Sequence, residues 1–328
     1  MELNYNGKLG ICIPTYNRKY HLARLLDSLL EEIANSRYPI FISDNASTDG
    51  TETMILNFKK RYENIIYHRN DTNLGFYRNY LNSIQMAGTE YIWTLGDDDI
   101  VVKGGISKVI SYLMDNTDFL LVNSIMMNRD MNAIKSKKVI ECTQDIFYAP
   151  GGSRSPFYDL MHKEYNTAIS SMIIRRRLLL ELLPKYLNES FELFNNSFSP
   201  LTIFYEAIQG GTGVFICDPI LKMRDDHRSD REDIWEYHFI DHVIAFEYLV
   251  GRGYNLDGYR KYAYKNLSGA IFYAVISKGL KPGLKLVNEF VKRDELLPLH
   301  IKYVITVIDI IPPPVIRILY WILQKLRG

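Results

Sequence analysis

Three consecutive carboxylates, Asp97-Asp98-Asp99, follow the apolar run Tyr91-Ile92-Trp93-Thr94-Leu95, with Gly96 between. Like charges side by side repel, so the cluster needs a positive partner. In an extended segment alternate side chains share one side. Asp97 and Asp99 are therefore expected to converge, with Asp98 pointing elsewhere. Two convergent carboxylates suit a hard divalent cation, Mg²⁺ or Mn²⁺, which keeps several waters and takes phosphate oxygens as further ligands. The competing reading is a solvated acidic turn. Position favours the cation: the triplet ends an apolar strand, at the edge where open α/β sheets bind ligands.

The elements ahead of the triplet position it. Leu9 to Ile13 is an apolar run that stops at Pro14, and Pro14-Thr15-Tyr16-Asn17-Arg18 reads as a loop. Leu22, Leu25, Leu26, Leu29 and Leu30 recur at helical spacing. Pro39 to Ser43 is a second apolar run, followed by Asp44-Asn45-Ala46-Ser47-Thr48-Asp49-Gly50, dense in turn formers and helix caps. A helix with Met54, Ile55 and Phe58, a strand over 64–68, a polar loop over 70–75 and a helix over 77–86 complete the series. Strand and helix alternate, with a polar loop after each strand. The pattern predicts a parallel sheet covered by helices, with right-handed crossovers. It also predicts that the loops at 14–18, 44–50, 71–78 and 97–99 gather along one edge.

Composition narrows the function classes. The 328 residues allow one large domain or two, and 47 % are apolar, enough for a substantial core. A net charge of +1 gives no global field for nucleic acid, and no basic stripe interleaves with aromatics. Cys12, Cys142 and Cys217 are scattered; the odd count without metal-ligand spacing argues against a disulfide framework and for a reducing compartment. The polar N-terminal stretch does not read as a signal peptide. Neither the dinucleotide-binding glycine pattern nor the P-loop pattern is present. Phosphate therefore needs another partner, and a cation at Asp97 and Asp99 would serve.

Four segments together carry a resemblance. Ile13-Pro14-Thr15-Tyr16-Asn17-Arg18, Ser43-Asp44-Asn45-Ala46-Ser47-Thr48-Asp49-Gly50-Thr51, Asn73-Leu74-Gly75 with Arg78-Asn79, and Leu95-Gly96-Asp97-Asp98-Asp99 resemble, in order and spacing, the motifs of family-2 glycosyltransferases with the GT-A fold. The nearest likeness is to the O-antigen and capsule branch, which includes abequosyltransferase-like enzymes. It extends over roughly residues 8–225. The resemblance implies a Rossmann-like, mostly parallel sheet flanked by helices, with a helical C-terminal extension. It implies that Pro14, Thr15 and Tyr16 line the pocket for base and ribose, and that Asp44 bonds the base. Arg78 would contact the nucleotide or its phosphates. Asp97 would lie by the ribose and the metal, Asp98 would join the nucleotide-sugar contacts, and Asp99 would ligate Mn²⁺ or Mg²⁺. The other reading of Asp44 is a helix cap; Asp49 reads as a turn or cap residue.

The family's general base is an Asp or Glu about a dozen residues before a glycine. With Gly210 or Gly211 as that glycine, the position falls near Ser199-Pro200, which cannot act as a base. Glu192, Glu206 and the pair Asp225-Asp226 are the substitutes, with Glu192 and Asp226 preferred; Glu206 is expected to face out of its helix or to pair locally. Ala168 to Ile174 is expected to re-enter the sheet ahead of Arg175-Arg176-Arg177, read as a solvated helix start in preference to a phosphate site, and Val214 to Ile216 to be a last short strand. The charged stretch 224–231 would close over the donor pyrophosphate, with His227 completing the metal shell and Arg224 or Arg228 facing phosphate. The loop around Ala149-Pro150-Gly151 stands open between an acceptor site and a surface connection.

Three regions follow: a catalytic domain over 1–225, a helical region over 226–295 and a tail over 296–328. The tail has two apolar segments split by Pro312-Pro313-Pro314. Neither reaches the roughly 20 residues that span a bilayer. Tyr320 and Trp321 suit a helix lying in the membrane surface; a buried helix in a homo-oligomer is the alternative. The expectation is a cytoplasmic enzyme on the inner face of the membrane. It would use a nucleotide-sugar donor and a lipid-linked oligosaccharide or glycan acceptor, and no nucleic acid. A non-catalytic binding module and a sugar nucleotidyltransferase are the competing classes.

Overall fold

The computed structural model describes residues 7–33, 36–150, 168–187 and 199–225. These all belong to one compact unit. Glu192, Asp226, His227, the helices expected after residue 226 and the C-terminal tail lie outside the described residues.

The centre of the sheet is β1 (Leu9–Thr15), whose seven residues are all buried. It pairs in parallel with β2 (Ile40–Asp44) on one side and β4 (Tyr91–Thr94) on the other. β3 (Ile65–Arg69) extends the sheet in parallel beyond β2. Strands covered on both faces read as continuous apolar runs, which is how these segments appear in the sequence. Between them run α1 (Lys19–Ile33), α2 (Thr51–Arg61) and α3 (Phe76–Gln85). α1 buries Leu22, Leu25, Leu26, Leu29, Leu30 and Ile33, the stripe its spacing predicts. Each such side chain contributes about 1.5–3 kcal/mol over its exposed state.

Alternation along β1 sorts the two layers. Leu9, Ile11 and Ile13 share one cluster with the leucines of α1 and with Ile55 and Phe58 of α2. Cys12 faces the other way, toward Tyr80 of α3. Burial pushes the Cys12 thiol far up, so it is a small core residue.

The second half departs from a simple parallel sheet. The strand order is β3-β2-β1-β4, then β9 (Met172–Arg175), β6 (Phe119–Met127), β10 (Gly213–Arg224) and β5 (Ile100–Val101). After β4 come the short β5 (Ile100–Val101), α4 (Gly105–Tyr112) and the long β6 (Phe119–Met127). β7 (Ile134–Ser136) and β8 (Ile146–Tyr148) are antiparallel additions to β6 and β10. β9 (Met172–Arg175) enters between β4 and β6, antiparallel to both. The apolar run ending at Ile174 does re-enter the sheet, and Arg175 closes it. Arg175 is a staple rather than a solvated residue. Its guanidinium donates to Glu90 at 2.6 Å, to the carbonyls of Met114 and Asp115 at 3.1 and 2.8 Å, and to the Tyr91 hydroxyl. α5 (Arg176–Leu187) starts at the next residue and packs on α6 (Ser199–Ala207).

β10 (Gly213–Arg224) is a 12-residue strand rather than a short one. Its register with β6 shifts on both sides of Pro219. A proline has no N–H for the ladder, and a bulge absorbs it so that the strand resumes.

A second correction concerns the cysteines. Cys142 and Cys217 form a disulfide, with Cα atoms 5.8 Å apart and a sequence separation of 75. The segment ahead of β8 lies alongside β10, a proximity that cysteine spacing cannot reveal. Cysteine usage therefore gives no ground for a reducing compartment.

Candidate active site at the carboxyl edge of the sheet

Parallel register brings the expected loops together. Thr15 pairs with Asp44 across β1 and β2, and Asp44 with Arg69 across β2 and β3. The Asn45 N–H donates to the Thr15 carbonyl at 2.9 Å, and the Leu95 N–H to the Cys12 carbonyl at 2.9 Å. The ends of β1, β2 and β4 thus open on one edge. The Thr15 hydroxyl donates to Asp97 at 2.7 Å. Asp97 and Asp99 are each only 6 % exposed, so the triplet is not a solvated turn.

The pairing within the triplet differs from the expected one. β4 ends at Thr94, and Asp97 and Asp98 lie in a turn that the Asp99 N–H closes onto the Gly96 carbonyl at 3.3 Å. Strand alternation no longer applies there. Arg18 donates to Asp97 at 3.2 Å and to Asp98 at 2.6 Å, so these two share a cation. Arg224 donates to Asp98 at 3.4 Å and to the Arg129 carbonyl at 2.7 Å. Asp99 turns to Ser170, whose hydroxyl donates to it. Burial raises the carboxyls of both Asp97 and Asp99; Arg18 pulls Asp97 back down, and Asp98 pushes both further up. His21, in the first turn of α1, is lowered by burial and by Arg224, against the pull of Asp98.

Among the described residues no group of three or more His, Cys, Asp or Glu is arranged to hold a metal ion. The donor set nevertheless fits a hard cation. Asp97, Asp98 and Asp99 offer carboxylate oxygens, and burial raises the carboxyls of Asp97 and Asp99, the first of them against the pull of Arg18.

Asp44 is fully buried and is not a helix cap. Its carboxylate accepts the Ser47 N–H at 2.9 Å and the Tyr67 hydroxyl at 2.8 Å. Burial and the Asp44 bond push the Tyr67 hydroxyl far up, so it stays a proton donor. Capping falls to Asp49, which accepts the Lys19 N–H at 2.9 Å and the Thr51 N–H at 3.1 Å. One side chain thereby fixes the starts of α1 and α2. Pro14 is buried in β1 opposite Ser43. Tyr16 is 43 % exposed at the rim, and Arg78 stands exposed in the first turn of α3.

An amide network that the sequence reading left without a role ties these loops together. The buried Asn79 donates to the carbonyls of Thr15 and Ser43 at 3.3 and 3.0 Å. It accepts from the Ser43 hydroxyl at 2.8 Å and from Asn70 at 3.0 Å. Asn45 accepts the Leu74 N–H at 2.8 Å and donates to Asn73 at 2.6 Å. Asn82 donates to Asn70 at 3.2 Å. The signal was an asparagine directly after β2 and after β3, Asn45 and Asn70, but such residues are also ordinary turn formers.

Two of the base substitutes, Glu206 and Asp225, are engaged elsewhere. Glu206 neither faces out nor pairs locally. It accepts from Lys185 at 2.7 and 3.1 Å and from the Tyr186 hydroxyl, holding α6 against α5. Asp225 pairs with Lys135. The preferred residues, Glu192 and Asp226, and the metal candidate His227 lie outside the described residues.

The model of glycosyl transferase family 2 matches residues 10–183. The abequosyltransferase RfbV of Salmonella typhimurium is 42 % identical over 130 residues, 39 % of each chain. A GalNAc(5)-diNAcBac-PP-undecaprenol beta-1,3-glucosyltransferase of Campylobacter jejuni is 30 % identical over 107 residues, 31 % of this chain and 33 % of that one. The chain thus spans well under two thirds of these curated relatives. Among solved structures, S. aureus TarS gives a TM-score of 0.60 at 17 % identity, covering 90 % of this chain and 50 % of that one. The mannosyltransferase PcManGT from Pyrobaculum calidifontis, solved with GDP-Man and Mn²⁺, gives 0.53 at 14 % identity, covering 93 % and 85 %. At such identities these structures establish the fold, which is that of the GT-A glycosyltransferases. With the family model covering more than half of its residues, the chain belongs to glycosyl transferase family 2.

Proposed function

We propose that this protein transfers a sugar from a nucleotide-sugar donor to a hydroxyl of a lipid-linked glycan during assembly of a cell-surface polysaccharide. The carrying observation is the edge where Asp97 is bonded to Thr15 and lies beside Asp98, with buried Asp44 one strand away. Family membership supports transfer chemistry. Names of relatives support the substrate class: abequosyltransferase in one case, an undecaprenol-diphosphate-linked glycan in another. TarS has been solved with UDP-GlcNAc, and PcManGT with GDP-Man and Mn²⁺.

In this reading Pro14, Thr15 and Tyr16 line the base and ribose pocket. Asp44 accepts a base N–H, and Arg78 contacts the nucleotide. Asp99 and Asp97 would hold Mn²⁺ or Mg²⁺, with His227 as a further ligand. A divalent cation there supplies positive charge for the leaving diphosphate. Arg18 holds Asp97 and Asp98 in place. The acceptor oxygen bonds to the anomeric carbon as the carbon–phosphate oxygen bond breaks on the opposite face, inverting the centre. The acceptor proton passes to Glu192 or Asp226. The C-terminal tail docks on the inner face of the membrane. A truncation before His300 is then expected to lose flotation with liposomes; flotation equal to that of the full chain contradicts the docking.

The test is diphosphate release from a panel of nucleotide sugars with Mn²⁺ and a lipid-linked glycan. Release with transfer is expected. Donor binding with neither hydrolysis nor transfer would favour a non-catalytic binding module, the reading that Ser199-Pro200 at the expected base position supports.

A further inference from the structure

Ser170 lies in the 3-10 turn Ile169–Ser171 that leads into β9. This turn is bonded to the last residues of β4 and to the loop beyond it. The Ser170 carbonyl accepts from the Trp93 indole at 2.8 Å, and the Ile169 carbonyl from the Thr94 hydroxyl at 3.0 Å. The Ser170 hydroxyl accepts the Gly96 N–H at 2.7 Å and donates its own proton to Asp99. A hydroxyl has one proton to give. With Gly96 donating into it, that proton is directed at the carboxylate. Ser170 is 1 % exposed. A Cβ at position 96 would lie 3.3 Å from Asp99 Oδ2, 3.3 Å from Ser170 Oγ and 3.4 Å from Asp98 Oδ1. Glycine there lets the backbone come close to all three groups.

We propose that Ser170 is the positioning residue for Asp99. It fixes the carboxylate in one orientation, so that the oxygen turned to the cation and the donor diphosphate is set before either arrives. The inference rests on the metal role proposed for Asp99 above. Ser171 supplies an internal control: it is fully buried, yet among the described residues its hydroxyl has no hydrogen-bond partner.

The experiment measures Mn²⁺ affinity of the full chain from the free-Mn²⁺ EPR signal, with UDP, GDP, CDP and dTDP supplied in turn. Wild type is compared with Ser170→Ala, Ser170→Thr, Ser171→Ala and Asp99→Asn. Metal-free nucleotide binding and circular dichroism report the fold. Removing a hydrogen-bond partner behind a metal ligand costs about 10–100-fold in metal affinity, and Ser170→Ala is expected to weaken Mn²⁺ binding by about tenfold or more. Ser170→Thr is expected to restore most of it, and Ser171→Ala to match wild type. If Asp99→Asn loses Mn²⁺ while Ser170→Ala keeps it, the positioning role alone is overturned. Equal loss in Ser171→Ala and Ser170→Ala would assign the effect to the turn's packing, which also overturns it. Wild-type Mn²⁺ affinity in Asp99→Asn removes the metal reading, and this inference with it.

Discussion

The two sides of the candidate site are held by different physics. On the β1–β2–β3 side, neutral amides link the loops: Asn79 alone reaches the backbones of Thr15 and Ser43 and the side chain of Asn70. On the β4 side, charges do the linking: Arg18 and Arg224 hold Asp97 and Asp98. A satisfied amide network is rigid and indifferent to ligand charge. Buried carboxylates with too little countercharge are not, and they gain when a cation arrives. The first side is suited to shaping a pocket, the second to responding to a charged ligand.

That comparison can be broken by experiment. The largest effect is expected on the charged side. Asp99→Asn should lower diphosphate release by about 100-fold or more, the scale of losing a group that stabilises developing charge, with the far-ultraviolet spectrum unchanged. Near-wild-type turnover with Mn²⁺ would take Asp99 out of the mechanism. Next is Arg18→Ala. It strips a shared partner from two largely buried carboxylates and should cost about 2–4 kcal/mol in urea unfolding. An Arg18→Ala protein as stable as wild type would mean that the carboxylates need no countercharge.

Asn79→Ala follows, with an expected cost of about 1–3 kcal/mol from orphaned buried groups. Donor KM should rise more than kcat falls. A change in kcat alone would place the amide network in the chemistry and erase the distinction. Smallest is Tyr67→Phe, which removes one donor from Asp44. About 0.5–1.5 kcal/mol of stability and a modest change in donor KM are expected. Loss of all donor binding would instead make Tyr67 a direct ligand.

The same division describes what could be read in advance. β1 to β4 and α1 to α3 were legible because parallel strands buried on both faces leave apolar runs, each followed by a polar loop. The gathering of those loops follows from parallel register, and Thr15 meeting Asp97 is its result. The rest depended on contacts distant in sequence. The direction of β9 is set by its neighbours β4 and β6. Ser170 lies 71 residues from the carboxylate it serves. The Cys142–Cys217 bridge spans 75. The pairing of Asp97 with Asp98 was missed for a local reason: a turn, not a strand, carries them.

The most direct measurement is calorimetric binding of UDP, GDP, CDP and dTDP to wild type and to Asp99→Asn, each with and without Mn²⁺. Wild type should bind one of them at least about tenfold tighter with Mn²⁺, a coupling of about 1.4 kcal/mol, and Asp99→Asn should lose that gain while keeping its metal-free affinity. Equal affinities with and without Mn²⁺ in wild type would contradict a cation held at the end of β4.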